Sequence, residues 1–198
     1  MGRVLPGEVA WYVTGRFYKA TDGPLLDAGY FLHLQGIGDD ALFSGDPGEG
    51  TAHLTFLADP FTARPVKNGD LALGMDAVGG FAVYLNRRPR ATFDDPYTFG
   101  VGEEVARFRR VSVVTGATVG SGVYDTPLFS LNVFSARLVG SRSFELGGRR
   151  HDLRRLIPHG ITQWGTSATT PAAELEGYTS VVPFVGSAIA IGGVLGSI

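Results

Sequence analysis

The sequence predicts an all-β protein built as a single antiparallel β-barrel, with a β-sandwich as the alternative. Three observations lead to this prediction. Apolar and polar residues alternate with period two through most of the 198 residues. Turns rich in Gly, Pro, Asn and Asp separate the alternating runs at regular intervals. No apolar pattern of helical period extends beyond a turn or two. A count of about eight to ten short, evenly spaced strands is typical of closed or layered antiparallel sheets.

The alternation places the strands in chain order. We expect the eight to ten strands among twelve candidate segments: 11–18, 28–35, 51–58, 61–66, 71–77, 81–86, 104–114, 128–139, 143–146, 149–153, 161–167 and 178–184. Pro65 suits an edge strand because proline cannot donate a ladder hydrogen bond. Asn68-Gly69 predicts a tight turn between the fourth and fifth strands, since both residues tolerate positive φ. Gly147-Gly148 predicts another hairpin, and the segment 87–102, rich in proline and charge, predicts a long loop.

Composition limits the classes of function. One domain of residues 1–198 is large enough to bury a core without disulfides or metals. The chain has no cysteine, which excludes disulfides, thiolate metal ligands and a cysteine nucleophile. Twelve of the 17 basic residues lie in 87–155. We nevertheless expect no nucleic-acid partner, because the pI is about 6.1 and no recognition motif accompanies the arginines.

The C-terminal segment 181–198 carries no charge, and it includes the apolar tail 185–198. Its length is close to the lower limit of a membrane span, but Pro183 and four glycines weaken a helix, and no basic residue flanks it. We therefore expect buried strands that close the sheet, and we do not expect a membrane partner. The alternative is a tail that packs on a neighbouring subunit in a homo-oligomer. The first eight residues lack the apolar region of a signal peptide, which predicts a cytoplasmic protein or an exported one already processed.

Motifs for metal, phosphate or nucleophile chemistry are not found in the sequence. The four histidines do not stand at metal-ligand spacing, and no GxSxG, Walker A or dinucleotide-binding pattern occurs. We therefore expect neither a metal nor a cofactor.

Polar residues inside apolar strands are the candidate catalytic groups. His33 lies within the predicted strand 28–35, on the period-two face of Phe31, and His53 lies within 51–58. If these faces point into a barrel, burial keeps the imidazoles neutral and able to accept a proton. Arg107 and Tyr84 are the candidates to stabilise a developing oxyanion. The alternatives are histidines on a solvated or backbone-bonded face, and arginines that protect a strand edge from pairing.

A ligand-binding interior is predicted from the aromatic residues of the strands. The predicted lining residues are Trp11, Phe17, Phe31, Leu54, Phe56, Phe108, Phe134 and Trp164. In the stretch RRHDLRRLIPHGITQWGTS, residues 149–167, the arginines indicate a solvated rim, and His159 and Trp164 are expected at the mouth of the cavity.

The strand count and chain length resemble those of small antiparallel barrels such as the lipocalin-like, allene-oxide-cyclase-like and dirigent-like groups. The resemblance concerns architecture, and no motif matches theirs residue by residue. An analogy of fold says little about function. The first functional hypothesis is the binding of an apolar or amphipathic small molecule in the barrel cavity, because about eight strands leave an interior that side chains fill or that holds one ligand. Two other functions stay open: a cofactor-independent isomerase, cyclase or lyase that uses the same cavity, and a structural or oligomer-forming protein whose barrel is filled by its own side chains.

Overall fold

The computed structural model describes residues 7–61, 64–68, 71–75, 79–121, 124–127, 130–168, 172 and 174–192, with side chains described outside 62–78 and 112–132. The strands are β1 (Val9–Ala20), β2 (Leu25–Leu34), β3 (Leu54–Ala58), β4 (Arg64–Asn68), β5 (Leu71–Met75), β6 (Gly80–Leu85), β7 (Glu103–Ser121), β8 (Tyr124–Pro127), β9 (Ser130–Ser141), β10 (Phe144–Leu146), β11 (Arg149–His151), β12 (Ile161–Ser167) and β13 (Tyr178–Ala190). A single helical turn, α1 (Leu153–Leu156), and two 3₁₀ helices (Asp39–Ala41 and Pro96–Gly100) complete these elements.

Eight strands close into one antiparallel barrel, as the sequence predicts. Their order is β7-β6-β3-β2-β1-β13-β12-β9, and β9 pairs back with β7. This closure rules out the alternative of a sandwich. The long strand β7 changes partners along its length. Its first part lies in the barrel between β6 and β9, and its last part pairs with β5 and β8.

Both predicted hairpins are confirmed. In the first, β4 pairs with β5, and Asn68 stands opposite Leu71. In the second, β10 pairs with β11 across Gly147-Gly148, whose φ angles of 58° and 69° suit glycine. The predicted loop 87–102 contains the second 3₁₀ helix, and Asp95 caps that helix through the backbone N–H of Tyr97.

The apolar C-terminal segment supplies a barrel strand. Up to Ala190 it belongs to β13, which pairs with β1 on one side and β12 on the other. The expectation of a strand that closes the sheet therefore holds for 178–190, while 193–198 lie outside the described residues. Within the described part of the chain, no helix is long and apolar enough to cross a membrane.

Glycines make room for aromatic rings inside the barrel. Gly15 and Gly29 stand opposite each other on β1 and β2. A Cβ on Gly15 would lie 2.9 Å from the ring of Phe184, and a Cβ on Gly29 would lie 2.8 Å from the ring of Phe56. The two rings therefore occupy space that larger residues at these positions would fill, which is a recognised role of glycine within strands.

One end of the barrel is closed by its connections. The segments 35–53 and 142–160 follow β2 and β9, and both leave the barrel at the same end. Ile37, Leu42, Phe144, Leu153 and Leu156 from these segments are buried in the same core as the interior residues Trp11 and Leu34. The stretch 149–160 therefore covers the closed end, which corrects its predicted position at the mouth of a cavity.

Candidate functional site

The interior of the barrel contains most of the aromatic residues expected there. Trp11, Phe31, Phe56, Phe108 and Phe134 are buried, as is Leu54, and Phe17 packs against them half-buried. The Trp11 ring meets the rings of Phe31 and Phe108 edge-on, at 5.5 Å between centroids in each case. The described interior is therefore a packed aromatic cluster.

Trp164 and His159 do not belong to this cluster. Trp164 lies on the outer face of β12, opposite Ser187, and its neighbour Gln163 faces inward. His159 is exposed on the connection that covers the closed end. The predicted lining position of Trp164 and the predicted mouth position of His159 are therefore wrong.

A buried ion pair lies among the interior rings. Nη2 of Arg110 donates to both carboxylate oxygens of Asp27, at 2.8 and 3.1 Å, and both residues are buried. The guanidinium carbon also lies 5.0 Å from the ring centroids of Phe61 and Phe134, and 5.9 Å from that of Phe81. Because both bonds to Asp27 come from one nitrogen, Nε and Nη1 make no bond to that carboxylate.

Strand register explains why these two charged residues face inward. Arg110 follows Phe108 at the period-two position, and Phe108 stands opposite the buried Phe81. Asp27 stands opposite Phe17 near the turn between β1 and β2. Both charged residues lie toward the end of the barrel opposite the closed one, and Arg110 donates its backbone N–H to the carbonyl of Gly79 there.

Two further polar groups face the interior from β12. The Oε1 atom of Gln163 accepts a hydrogen bond from Nε1 of Trp11 at 2.9 Å. The Oγ atom of Ser167 is buried and has no hydrogen-bond partner among the described residues. Sequence reasoning missed Asp27, Arg110 and Gln163 as site residues. The available signal was alternation, since Gln163 lies two residues from Ile161 and Arg110 two residues from Phe108.

The space left between the interior side chains is small. A cavity of about 10 Å³ is lined by Trp11, Val13, Asp27, Phe31, Phe56, Phe81, Phe134 and Gln163. This is about the volume that a single water molecule needs. In the described structure, the barrel is therefore filled by its own residues.

His33 faces outward because β2 contains a bulge. Phe31 stands opposite Val13 and His33 opposite Tyr12, so that Leu32 is the extra residue. The bulge reverses the alternation, and Leu34 takes the interior position. His33 instead pairs with Asp39 at 2.8 Å between Nδ1 and Oδ1. The interior position expected for His33 is therefore wrong.

His53 and Tyr84 also lie outside the interior. His53 precedes β3, and its Nδ1 lies 2.8 Å from the carbonyl oxygen of Asn86. Tyr84 stands opposite Thr55, on the outer side of β6, where the hydroxyl of Thr55 donates to the carbonyl of Phe99. Burial raises the pKa of the Tyr84 phenol, so its hydroxyl stays protonated at neutral pH.

Arg107 is engaged in ion pairs on the outer surface. Its Nε and Nη2 atoms donate to the two carboxylate oxygens of Glu104, at 3.0 and 2.7 Å, and Nη1 lies 3.3 Å from Asp59. These hydrogen bonds from Arg107 hold the pKa of Glu104 below its usual range. The structure therefore does not bring His33, His53, Tyr84 and Arg107 together inside the barrel. Their catalytic roles stay untested predictions.

The arginines of the segment 149–155 form an exposed rim, as predicted. Arg149, Arg150, Arg154 and Arg155 are exposed, whereas His151 is buried with Nε2 3.1 Å from the carbonyl of Leu146. Among the described residues, no group of three or more His, Asp or Glu side chains is arranged to hold a metal ion.

The fold and this interior define a class of structure: a small, closed, eight-stranded antiparallel barrel with an aromatic core and a buried ion pair. No protein-family model matches the chain, and neither a curated protein nor a solved structure is significantly similar to it.

Proposed function

We propose that the barrel interior binds a small, uncharged and mainly apolar molecule that carries an oxygen acceptor for Arg110. The supporting observation is the buried Asp27–Arg110 pair surrounded by phenylalanine rings. The apolar body of the ligand would lie against the rings, and its oxygen would accept a hydrogen bond from Nε or Nη1 of Arg110.

A buried ion pair is weak evidence of a stabilising role. Replacing a buried pair with apolar residues of similar size is often neutral or stabilising, because two charges must be removed from water. The Asp27–Arg110 pair is enclosed by apolar rings on several sides, so its desolvation is extensive. A binding role gives a physical reason for placing charged groups in an otherwise aromatic interior.

The charge balance of the pair indicates the class of ligand. Asp27 already neutralises Arg110, so a carboxylate ligand would bring a second negative charge close to Asp27 and be repelled. A carbonyl or hydroxyl oxygen adds no charge and can use the donors that Asp27 does not occupy. We therefore expect a neutral ketone, ester or alcohol on an apolar skeleton.

Binding requires interior side chains to move, because the present cavity is only about 10 Å³. Phe17 is the side chain best placed to do so. It is half-buried, stands opposite Asp27, and stacks on Phe184 at 4.4 Å between ring centroids. Rotation of Phe17 would open the interior beside the ion pair.

A matched series of ligands tests this proposal. Binding of 2-acetylnaphthalene, 2-ethylnaphthalene and 2-naphthoate would be measured by calorimetry and by native mass spectrometry. These probes share a ring system and differ in having a neutral carbonyl, no oxygen or a carboxylate. We expect the ketone to bind about tenfold more tightly than the hydrocarbon, as one hydrogen bond to a charged donor allows. The carboxylate should bind most weakly.

Two substitutions provide the matched controls. Arg110→Met should reduce the affinity for the ketone to that for the hydrocarbon, and Arg107→Met should leave it unchanged because Arg107 faces outward. Tightest binding by the carboxylate would contradict the proposed class of ligand. No binding by any of the three probes would contradict the binding function itself.

A structural role is the second candidate, favoured by the filled interior. It predicts that the purified protein neither carries a small molecule nor binds the naphthalene series. The hypothesis of an isomerase, cyclase or lyase requires histidines inside the barrel, and both His33 and His53 lie outside it. The interior carboxylate Asp27 is held by two hydrogen bonds from Arg110. We therefore do not favour catalysis by this site.

A further inference from the structure

A groove on the outside of the barrel lies beside the turn between β1 and β2, at the end opposite the closed one. It has a volume of about 350 Å³, which is within the range of pockets that hold small molecules. Its lining includes Leu26 and Tyr178, which belong to an apolar cluster separate from that of the barrel interior. The residues that give the groove its chemical character are Asp22, Pro24, Pro60, Tyr97, Glu176 and Tyr178. We call this surface the Tyr97 groove.

Three separate segments of the chain form the Tyr97 groove. The turn between β1 and β2 contributes Asp22, the second 3₁₀ helix contributes Tyr97, and the residues that enter β13 contribute Glu176. A backbone hydrogen bond joins the first and third segments, since the N–H of Thr21 donates to the carbonyl of Gly177 at 3.1 Å. The protein makes these contacts alone, so the groove forms without a ligand.

The charges on these three segments are all negative. Residues 20–26, 94–97 and 174–178 contain five acidic residues and no Lys, Arg or His. Asp22 and Glu176 are exposed, and neither forms a salt bridge within the part of the chain that the structure describes. The groove therefore has a negative potential that its own residues do not neutralise.

Two tyrosine rings line the groove. Tyr97 is 58% exposed, and Tyr178 is half-buried against Tyr18, at 5.2 Å between ring centroids. Burial, together with the nearby Tyr97 and Asp95, raises the pKa of the Tyr178 phenol, which therefore stays neutral. Lys19 lies on the opposite face of β1 from Tyr18 and does not line the groove. A cation is attracted both by the faces of such rings and by neighbouring carboxylates.

We propose that the Tyr97 groove binds an organic ammonium ion. The ammonium lies against the ring of Tyr97, within reach of the carboxylates of Asp22 and Glu176, and its apolar substituents lie against Pro24 and Pro60. An anion would be repelled by the carboxylates, and a neutral ligand would gain nothing from them. The groove is thus a second site, which differs from the barrel interior both in position and in the charge of its ligand.

A matched set of three probes tests the proposal. Choline, 3,3-dimethyl-1-butanol and 3,3-dimethylbutanoate have closely similar shapes but carry a positive charge, no charge and a negative charge. Binding would be measured by NMR titration of the isotopically labelled full chain, following the backbone amides of Thr21, Tyr97 and Gly177. We expect choline to bind about tenfold more tightly than the alcohol and the carboxylate not to bind. The affinity for choline should fall as the salt concentration rises.

Substitutions at exposed positions separate the two attractions. Glu176→Gln should weaken choline binding about threefold, because it removes one carboxylate, and should leave binding of the alcohol unchanged. Tyr97→Leu should weaken choline binding by a similar factor, whereas Tyr97→Phe keeps the ring and should not. The matched controls are Asp40→Asn, at an exposed acid of the closed end, and Tyr12→Leu, at a tyrosine of similar exposure on β1. Circular dichroism would verify that all variants fold.

Several results would overturn the proposal: no saturable binding of choline, equal affinity for choline and the alcohol, tighter binding of the carboxylate, or equal weakening by the groove variants and their controls. Competition with 2-acetylnaphthalene separates this site from the barrel interior. We expect that ketone not to displace choline, and displacement would show that choline occupies the interior instead of the groove.

Discussion

Asp27 and Arg110 are expected to serve ligand binding without adding to the stability of the fold. Each is buried, and each is the charged partner of the other. Removing one partner of a buried ion pair leaves an uncompensated charge and costs about 3–5 kcal/mol, whereas replacing both with apolar residues can be neutral. The difference between single and double variants therefore measures what the pair contributes to folding.

We expect Asp27→Leu and Arg110→Met to lower the free energy of unfolding by about 3–5 kcal/mol each, and the double variant to recover most of this loss. Urea denaturation monitored by circular dichroism would measure the three values. Arg107→Met is the surface control and should cost about 1 kcal/mol or less, because its ion pairs are solvated. A double variant as unstable as the sum of the single variants would show that the two residues are not energetically coupled, which would contradict this account of the pair.

The direction of the His33 side chain cannot be predicted from the residue and its neighbours alone. Its identity and its position within an apolar strand are visible in the sequence, and both suggested an interior base. The direction of its side chain depends on the bulge at Leu32, and the bulge arises from pairing with β1. Arg107 and Arg110, in contrast, lie on opposite faces of β7 by alternation alone, and strand pairing decides only which of these faces is the interior.

At the scale of elements, the bulge in β2 allows apolar residues on both sides of it to face the interior of the barrel. Before it, Asp27 and Phe31 face the interior, and after it Leu34 does so opposite Trp11. The extra residue, Leu32, is partly exposed and contributes little to the core.

Deletion of Leu32 should therefore be tolerated. The pairs Trp11–Leu34, Tyr12–His33 and Val13–Phe31 would then form a regular ladder, with every side chain on its present face. We expect a loss of about 1 kcal/mol in the free energy of unfolding. Deletion of Ala28, in the regular part of the strand, should prevent folding because it reverses the faces on one side. Thermal unfolding would compare the two, and equal damage by both deletions would contradict this account of the bulge.

The short helix α1 provides a pH-dependent element. Asp152 caps it by accepting from the backbone N–H of Arg154, and it also accepts from the hydroxyls of Ser141 and Ser143. Burial alone would raise the pKa of Asp152, but these hydrogen bonds outweigh that effect and lower it.

A carboxyl group with a lowered pKa stabilises the fold above its unfolded pKa, which is about 3.9 for aspartate, and this stabilisation is lost as the pH falls through the lower folded value. Asp152→Ala should therefore cost about 1 kcal/mol at neutral pH, as loss of an N-cap does, and less below a pH of about 4. Denaturation at several pH values measures this difference. A cost that stays constant with pH would contradict the role of the ionised carboxylate.

At the scale of the whole molecule, the barrel is closed, and the part of its interior that the structure describes is filled. Eight strands enclose a space that side chains can occupy completely or that can hold one ligand. The connections after β2 and β9 close one end, while the ion pair lies toward the other. A filled interior makes the proposed binding dependent on side-chain movement.

The sequence by itself determined the fold class, both hairpins and most of the aromatic core. These features depend on local information: alternation with period two, glycine or asparagine at turns, and the tendency of Phe, Trp and Val to be buried in strands. Trp11, Phe31 and Phe108 were found in this way.

Only the tertiary structure decided which polar residues reach the interior and which end of the barrel is closed. Strand pairing across the barrel sets the direction of each side chain, and one bulge reverses that direction from its position onward. Asp27 and Arg110 are 83 residues apart in sequence and meet only when the sheet closes. Trp164 lies outside because its neighbour Gln163 faces inward on β12. His159 lies outside because it belongs to the segment 142–160, which covers the closed end.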